Sequence, residues 1–209
     1  MAHSDSSGLV FRQEEPGDYA AVEALTREAF WNVYQPGCDE HYIIHSMRGS
    51  SAVIRELNWV CEDRGRLCGH IFYTRTKVVS EDGQAYPVIS FGPVSVHPDD
   101  QKKGIGSALI RMTLEMAGKM KFPGAVITGN PQYYHRFGFR PAADYGIVFE
   151  DGSSFPALMA CELETHGLDP VHGRMFFCRE FTAVDQEALL AFDRQFPERE
   201  RLKLPGQLH

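Results

Sequence analysis

Val94-Ser95-Val96-His97-Pro98-Asp99-Asp100-Gln101-Lys102-Lys103-Gly104-Ile105-Gly106 is the stretch on which the fold turns. Its first residues read as the end of a strand. Its last residues open a helix over 104–119, in which Ile105, Ala108, Leu109, Met112 and Met116 keep the 3.6-residue period. A helix start leaves backbone N–H groups without intrahelical partners and carries partial positive charge. Glycines there let a ligand approach the main chain. The combination suits a pyrophosphate, with Lys102 and Lys103 adding charge attraction. Two common phosphate loops do not fit. The P-loop needs Gly-x-x-x-x-Gly-Lys-Ser/Thr, and the dinucleotide fingerprint fails because Gly104-Ile105-Gly106-Ser107-Ala108-Leu109 ends in leucine.

Upstream, residues 9–13 read as a strand, and Asp18 is placed to cap a helix over 19–30. A shorter helix is expected over 38–47. Strands over 59–62 and 67–79 are joined by a turn at Arg64-Gly65. A third strand, 88–96, contains Pro93, which cannot donate to a ladder, so the strand is bulged or unpaired there. Downstream come a buried strand (124–128), a short helix (131–137) stopped by Gly138, and a return to strand at 139–141. Residues 157–163 and 175–181 look like strands, and 182–192 like a helix begun at Thr182 or Asp185. An antiparallel meander followed by a strand-helix-strand crossover predicts an α/β (α+β) domain on a mixed sheet. The expected division is a flexible N-terminus (1–8), a core (9–145), a strand-strand-helix extension of the same domain (146–196) and a loose tail (197–209).

The formal net charge of -7 disfavours a nucleic-acid partner. There is no apolar run long enough for a membrane span and no signal-peptide pattern at the start, so a cytoplasmic location is the default expectation. Five cysteines, with no Cys-x-x-Cys, favour reduced thiols; Cys61 and Cys68 could face each other across a hairpin as ordinary strand thiols. His41 and His45 share a helix face but lack an evident third ligand, so no metal is expected.

Gln101-x-x-Gly104-x-Gly106, after a Val-x-Val-x-Pro strand end, resembles the acetyl-CoA motif Gln/Arg-x-x-Gly-x-Gly/Ala of the GNAT acetyltransferases. Gly129-Asn130-Pro131-Gln132-Tyr133-Tyr134-His135-Arg136-Phe137-Gly138-Phe139 resembles that family's Tyr-x-x-x-Gly-Phe segment. The two motifs stand in the family's order. The resemblance spans about residues 9–141 and is strongest over 88–141. It implies the GNAT fold, a mostly antiparallel mixed sheet with a splayed central strand pair and flanking helices. Acetyl-CoA is then the implied cosubstrate. Val94, Ser95 and Val96 would lie along its pantetheine arm, Gln101, Lys102, Lys103, Gly104, Ile105, Gly106 and Ser107 would hold its pyrophosphate, and Asn130 would touch the arm.

The implied activity is transfer of an acetyl group to a primary amine, on a small molecule or peptide, by direct attack. Tyr134, four residues before Gly138, matches the family's tyrosine and is the candidate general acid for the departing thiolate. Tyr133 beside it would point elsewhere and is the weaker choice. The general base is not readable; His97, His70 and Glu62 are each considered. Two rivals remain, a non-catalytic acetyl-CoA sensor and an acyltransferase for longer chains. Oligomeric state is open, with a homodimer among the options.

Overall fold

The computed structural model describes residues 3–4 and 8–207. The flexible segment expected over 1–8 therefore falls mostly outside the described residues. The strands are β1 His3–Ser4, β2 Leu9–Gln13, β3 Trp59–Asp63, β4 Arg66–Val79, β5 Ala85–Val96, β6 Gly124–Thr128, β7 Arg140–Pro141, β8 Ile147–Phe149, β9 Leu158–Glu162 and β10 Gly173–Phe176. The helices are α1 Tyr19–Phe30, α2 Glu40–Met47, α3 Ile105–Lys119, α4 Pro131–Tyr134, α5 Arg179–Thr182 and α6 Gln186–Asp193. The sheet runs β1-β2-β3-β4-β5-β6-β9-β7, with β10 on β4 and β8 on β10. Only β5–β6 and β8–β10 pair in parallel among the described residues. The mixed, mostly antiparallel sheet implied by the resemblance is what forms.

Alternation along β4 decides the layers. Ile71 and Tyr73 face α3, where they meet Ile89, Leu109 and Ile110. Phe72 faces the other way, into Val22, Ile43, Ile44, Met47 and Val60 beneath α1 and α2. Beyond the reach of α1 and α2 that second face still carries Val78, Val88, Val126 and Ala160, which Ile147, Leu168 and Met175 of the C-terminal extension cover. The extension thus closes the half of the sheet that the first two helices leave open.

Three local readings are corrected. Asp18 does not cap α1; its carboxylate is held by Arg12 at 2.6 and 2.7 Å and accepts from the Glu15 N–H. The strand expected over 175–181 stops at Phe176. Past the Phe176–Lys77 pair the edge of β4 is taken by residues 52–54: Arg75 N–H donates to Ala52 O, and Ile54 N–H to Tyr73 O. The chain turns instead into the single helical turn of α5. Residues 197–207, expected as a loose tail, return to the α1–α2 connection. There Trp31 Nε1 donates to Glu200 O at 3.0 Å and Gln207 Nε2 to Asn32 O at 2.9 Å. Arg27 stacks 4.0 Å over Trp31 and binds Asp193 of α6 at 2.7 Å, while Arg201 reaches the other oxygen of Asp193 at 3.2 Å.

Candidate active site

The break expected at Pro93 is a bulge. Ile71 pairs with Val94 and Tyr73 with Phe91, so Gly92 and Pro93 together oppose Phe72, and the Gly92–Pro93 peptide is cis. On its other side β5 pairs with β6 only at Ile89–Ala125 among the described residues, and the two strands part beyond that point. His97 N–H donates to Cys68 O on β4. By alternation the main-chain groups of Val94 and Val96 face the opposite, splayed edge, and those of Ser95 face β4. The Ser95 side chain is fully buried on the α1 face, 2.8 Å from Thr26 Oγ1, and is not turned to that edge.

The loop between β5 and α3 is braced from below. Buried Asp100 accepts from Arg66 at 2.6 Å and Lys103 at 2.8 Å. The Lys103 ammonium and then the Arg66 guanidinium hold its carboxyl below the usual range. Lys103 is thus engaged in the loop's own scaffold. Gln101 Nε2 donates to Val96 O at 3.3 Å, joining the loop to the splayed edge. Gly104 begins α3 with φ +90, a left-handed conformation that glycine adopts freely. No side chain caps it, and Ala108 N–H is the first to close back, on Gly104 O. The N–H groups of Ile105, Gly106 and Ser107 therefore have no intrahelical partner. A Cβ at Gly106 would sit 3.4 Å from Val96 Cγ2 and 3.7 Å from Val94 Cγ1, so the helix mouth adjoins these two half-buried valines. Ile105 is buried and anchors the helix from beneath.

α4 follows β6 and sets its two tyrosines against the α3 mouth and Phe91. Asn130 spends its side-chain oxygen capping this turn, accepting from Gln132 N–H at 3.0 Å, and Gly138 ends the following turn with φ +90. Tyr133 and Tyr134 diverge as expected. Tyr133 reaches the α3 mouth, 3.4 Å from Ser107 Oγ. The Tyr134 ring lies over Gly129, where a Cβ would stand 2.3 Å from it, and packs on Phe91 with centroids 6.0 Å apart. Its phenol is held well above the ordinary value, by burial first and then by Tyr133 and Tyr34, so it stays protonated across neutral pH.

The three residues weighed as bases are all engaged elsewhere. His97 Nδ1 accepts from Asp99 N–H. Glu62 is bound by Arg12. His70 is fully buried, 3.4 Å from Glu14, which Arg48 also holds at 2.6 Å. Burial alone would raise the Glu14 carboxyl, but His70 and Arg48 outweigh it and the net shift is downward. His41 is buried against Asp193 and Cys38, and His45 pairs with Glu23. Cys61 and Cys68 do face each other, as buried thiols 3.6 Å apart with no disulfide between them.

Sequence reasoning missed the loop between α1 and α2. Tyr34, Gln35, Asp39 and Glu40 line a cleft of about 210 Å³. Burial, the largest cause, pushes the Glu40 carboxyl up to about 7; the Asp39 charge adds to this, and main-chain N–H groups partly offset it. No periodicity or motif marks these residues.

A sheet opened by a bulge, with an uncapped glycine helix mouth at its open edge, defines the acetyltransferase fold. The family model for the GNAT acetyltransferase domain matches residues 11–142, and the chain belongs to that family. It is 23% identical over 173 residues to the N-acetyltransferase YhbS of Escherichia coli, covering 83% of this chain and 98% of that protein. The fold is similar to the crystal structure of YhbS, solved with CoA (TM-score 0.75, 22% identity, 88% of this chain and 97% of that one). It is also similar to a Brucella melitensis GNAT acetyltransferase solved with acetyl-CoA (TM-score 0.67, 27% identity, 83% and 97%). No described helix is long and apolar enough to cross a membrane.

Proposed function

We propose that this acetyltransferase takes its acetyl group from acetyl-CoA and passes it directly to a primary amine. The observation that carries the reading is the uncapped mouth of α3, open at Gly104 and set against the splayed edge of Val94 and Val96. Three unpaired N–H groups and a positive dipole end suit a diphosphate, and Gly106 leaves room for it. Main-chain groups of Val94 and Val96 then pair with the pantetheine arm in the gap beside β6. The relatives solved with CoA and acetyl-CoA support the choice of ligand. The core over 9–145 holds these parts, and the extension over 146–196 completes the same domain.

Bound acetyl-CoA supplies an activated carbonyl with a thiolate leaving group. A backbone N–H near Val94 stabilises the oxygen as charge develops on it. Tyr134, neutral and packed beside Phe91, donates a proton to the departing sulfur. Gly106→Glu tests the site. Its carboxylate would occupy the helix mouth and repel a diphosphate, while the backbone there is ordinary helix. Calorimetric titration should show acetyl-CoA affinity abolished with the unfolding midpoint nearly unchanged. Normal affinity would refute the assignment of the loop.

A further inference from the structure

The β3–β4 hairpin holds the loop ahead of α3 at two points. His97 N–H donates to Cys68 O at 3.0 Å, and Arg66, two residues before Cys68, donates to buried Asp100 at 2.6 Å. β3 and β4 pair Cys61 with Gly69 and Glu62 with Leu67, so Cys68 is the extra residue of a bulge. Plain alternation from Gly69 would turn Cys68 away from α3. The bulge keeps it on the α3 face instead, in one core cluster with Cys61, Ile105 and Leu109. A Cβ at Gly69 would stand 2.6 Å from Ile105 Cγ2 and 3.2 Å from Cys61 Cβ, so the glycine is what lets the first turns of α3 lie against the thiols. The Cys68 thiol reaches Cys61 Sγ at 3.6 Å and Cys61 O at 3.4 Å. Burial pushes the thiols of Cys38, Cys161 and Cys178 up, Cys161 to about 11. Cys68 goes the other way: a hydrogen bond from Cys61 outweighs burial and holds it below the ordinary thiol value.

We propose that Cys61 and Cys68 are a reversible redox pair: a peroxide converts them to a disulfide, which shifts β4 beneath the helix mouth and weakens acetyl-CoA binding. The effect on acetyl-CoA rests on the cofactor reading above; the oxidation of the pair does not.

The chemistry balances. The Cys68 thiolate attacks one peroxide oxygen and the O–O bond breaks. The other oxygen leaves as water, taking the proton that Cys68 gave up. Cys61 sulfur then attacks the Cys68 sulfenic acid. The S–S bond forms, the S–O bond breaks, and the hydroxide leaves with the Cys61 proton as a second water. The two sulfurs lose two electrons and the peroxide gains them. Peroxide reaches the pair as the hairpin tip frays, where Arg64 and Gly65 are exposed and Gly65 is three residues from Cys68. Bonded sulfurs lie about 2 Å apart, so the pair must close by about 1.5 Å from its present spacing. Ile105 and Leu109 fill the space around it, and a close-packed interior passes such a shift on. Cys68 O and the Arg66–Asp100 contact move with the strand. The N–H groups at the mouth of α3 then lose the alignment on which a hydrogen bond depends steeply.

The test uses the full chain, wild type, Cys61→Ala and Cys68→Ala. Each is treated with hydrogen peroxide, cleared with catalase and divided, one half being reduced again with dithiothreitol. Thiols are counted in denaturant, the link is mapped by the mass of unreduced peptides, and acetyl-CoA affinity is measured by calorimetry. The oxidised wild type should show three thiols in place of five, with a peptide joining Cys61 to Cys68. It should bind acetyl-CoA about tenfold more weakly than the reduced protein, and dithiothreitol should restore both thiols and affinity. Either alanine variant keeps the main-chain carbonyl at position 68. It should bind acetyl-CoA as the reduced wild type does, before and after peroxide. That insensitivity separates the pair from methionine oxidation, which all three proteins share. The proposal is overturned if peroxide leaves five thiols or links another pair. It is overturned too if the Cys61–Cys68 disulfide leaves affinity unchanged, or if an alanine variant loses affinity under peroxide as the wild type does. Should a variant fail to fold, the oxidised and re-reduced wild type decide between them. Failure of the reduced wild type to bind acetyl-CoA defeats the parent reading instead, and the thiol count still decides whether the pair oxidises.

Discussion

Tyr134 and Tyr133 are neighbours in sequence, yet their hydroxyls serve different places. Tyr133 is directed to Ser107 at the helix mouth, and Tyr134 is packed between Phe91, Phe137 and Phe139 beside the bulge. Tyr134→Phe keeps that packing and removes only the hydroxyl that carries the proton. Turnover should fall by about 10²-fold with acetyl-CoA affinity unchanged, as separate rate and binding measurements would show. Because burial holds the phenol above its ordinary value, the wild-type rate should show no alkaline fall from this group below pH 10. An unchanged rate in the variant would remove Tyr134 from the chemistry.

The elements carry a second contrast, between two glycines two residues apart. Gly104 has φ +90 and open space where a Cβ would stand, so Gly104→Ala meets only backbone strain and should cost about 1 kcal/mol in urea unfolding. Gly106 is helical, and its added Cβ makes ordinary contacts, so Gly106→Ala should leave stability equal or slightly higher. A reversed order of the two would mean the helix begins elsewhere. These elements were legible because local rules act within a few residues. The period of α3, the Pro93 interruption and the Gly138 stop all read directly. Asp18 was misread as a cap because the competing partner, Arg12, reaches it by tertiary approach. The strand expected past Phe176 failed because residues 52–54 hold the edge it would have used. The cleft lined by Tyr34, Gln35, Asp39 and Glu40 carried no local signal, because neither a period nor a motif joins those positions.

At the scale of the molecule, the C-terminal segment binds the α1–α2 layer through a buried polar knot. His41 is fully buried at its centre, 3.2 Å from Asp193, and burial pushes its ring down to about 4 against an ordinary 6.5. The folded protein thus keeps His41 neutral where the unfolded chain protonates it. The stability is present above pH 6.5 and lost as pH falls from there through about 4. Asp18, Asp100 and Asp193 are held low and weaken only at more acid pH. Glu40 works in the opposite direction over the same range, so the effect is cleanest in a Glu40→Gln background. There, calorimetric unfolding should show a midpoint that drops between pH 6.5 and 4, and His41→Gln should flatten the slope. An unaltered slope would place the titrating group elsewhere.

The Trp31 buttress has a further consequence. The loop that it steadies is supported by a stretch lying 169 positions further along the chain, while the helix mouth of α3 takes no part in that support. Changes in that remote segment are therefore felt at the α1–α2 loop, while the helix mouth keeps its own brace of Asp100, Arg66 and Lys103.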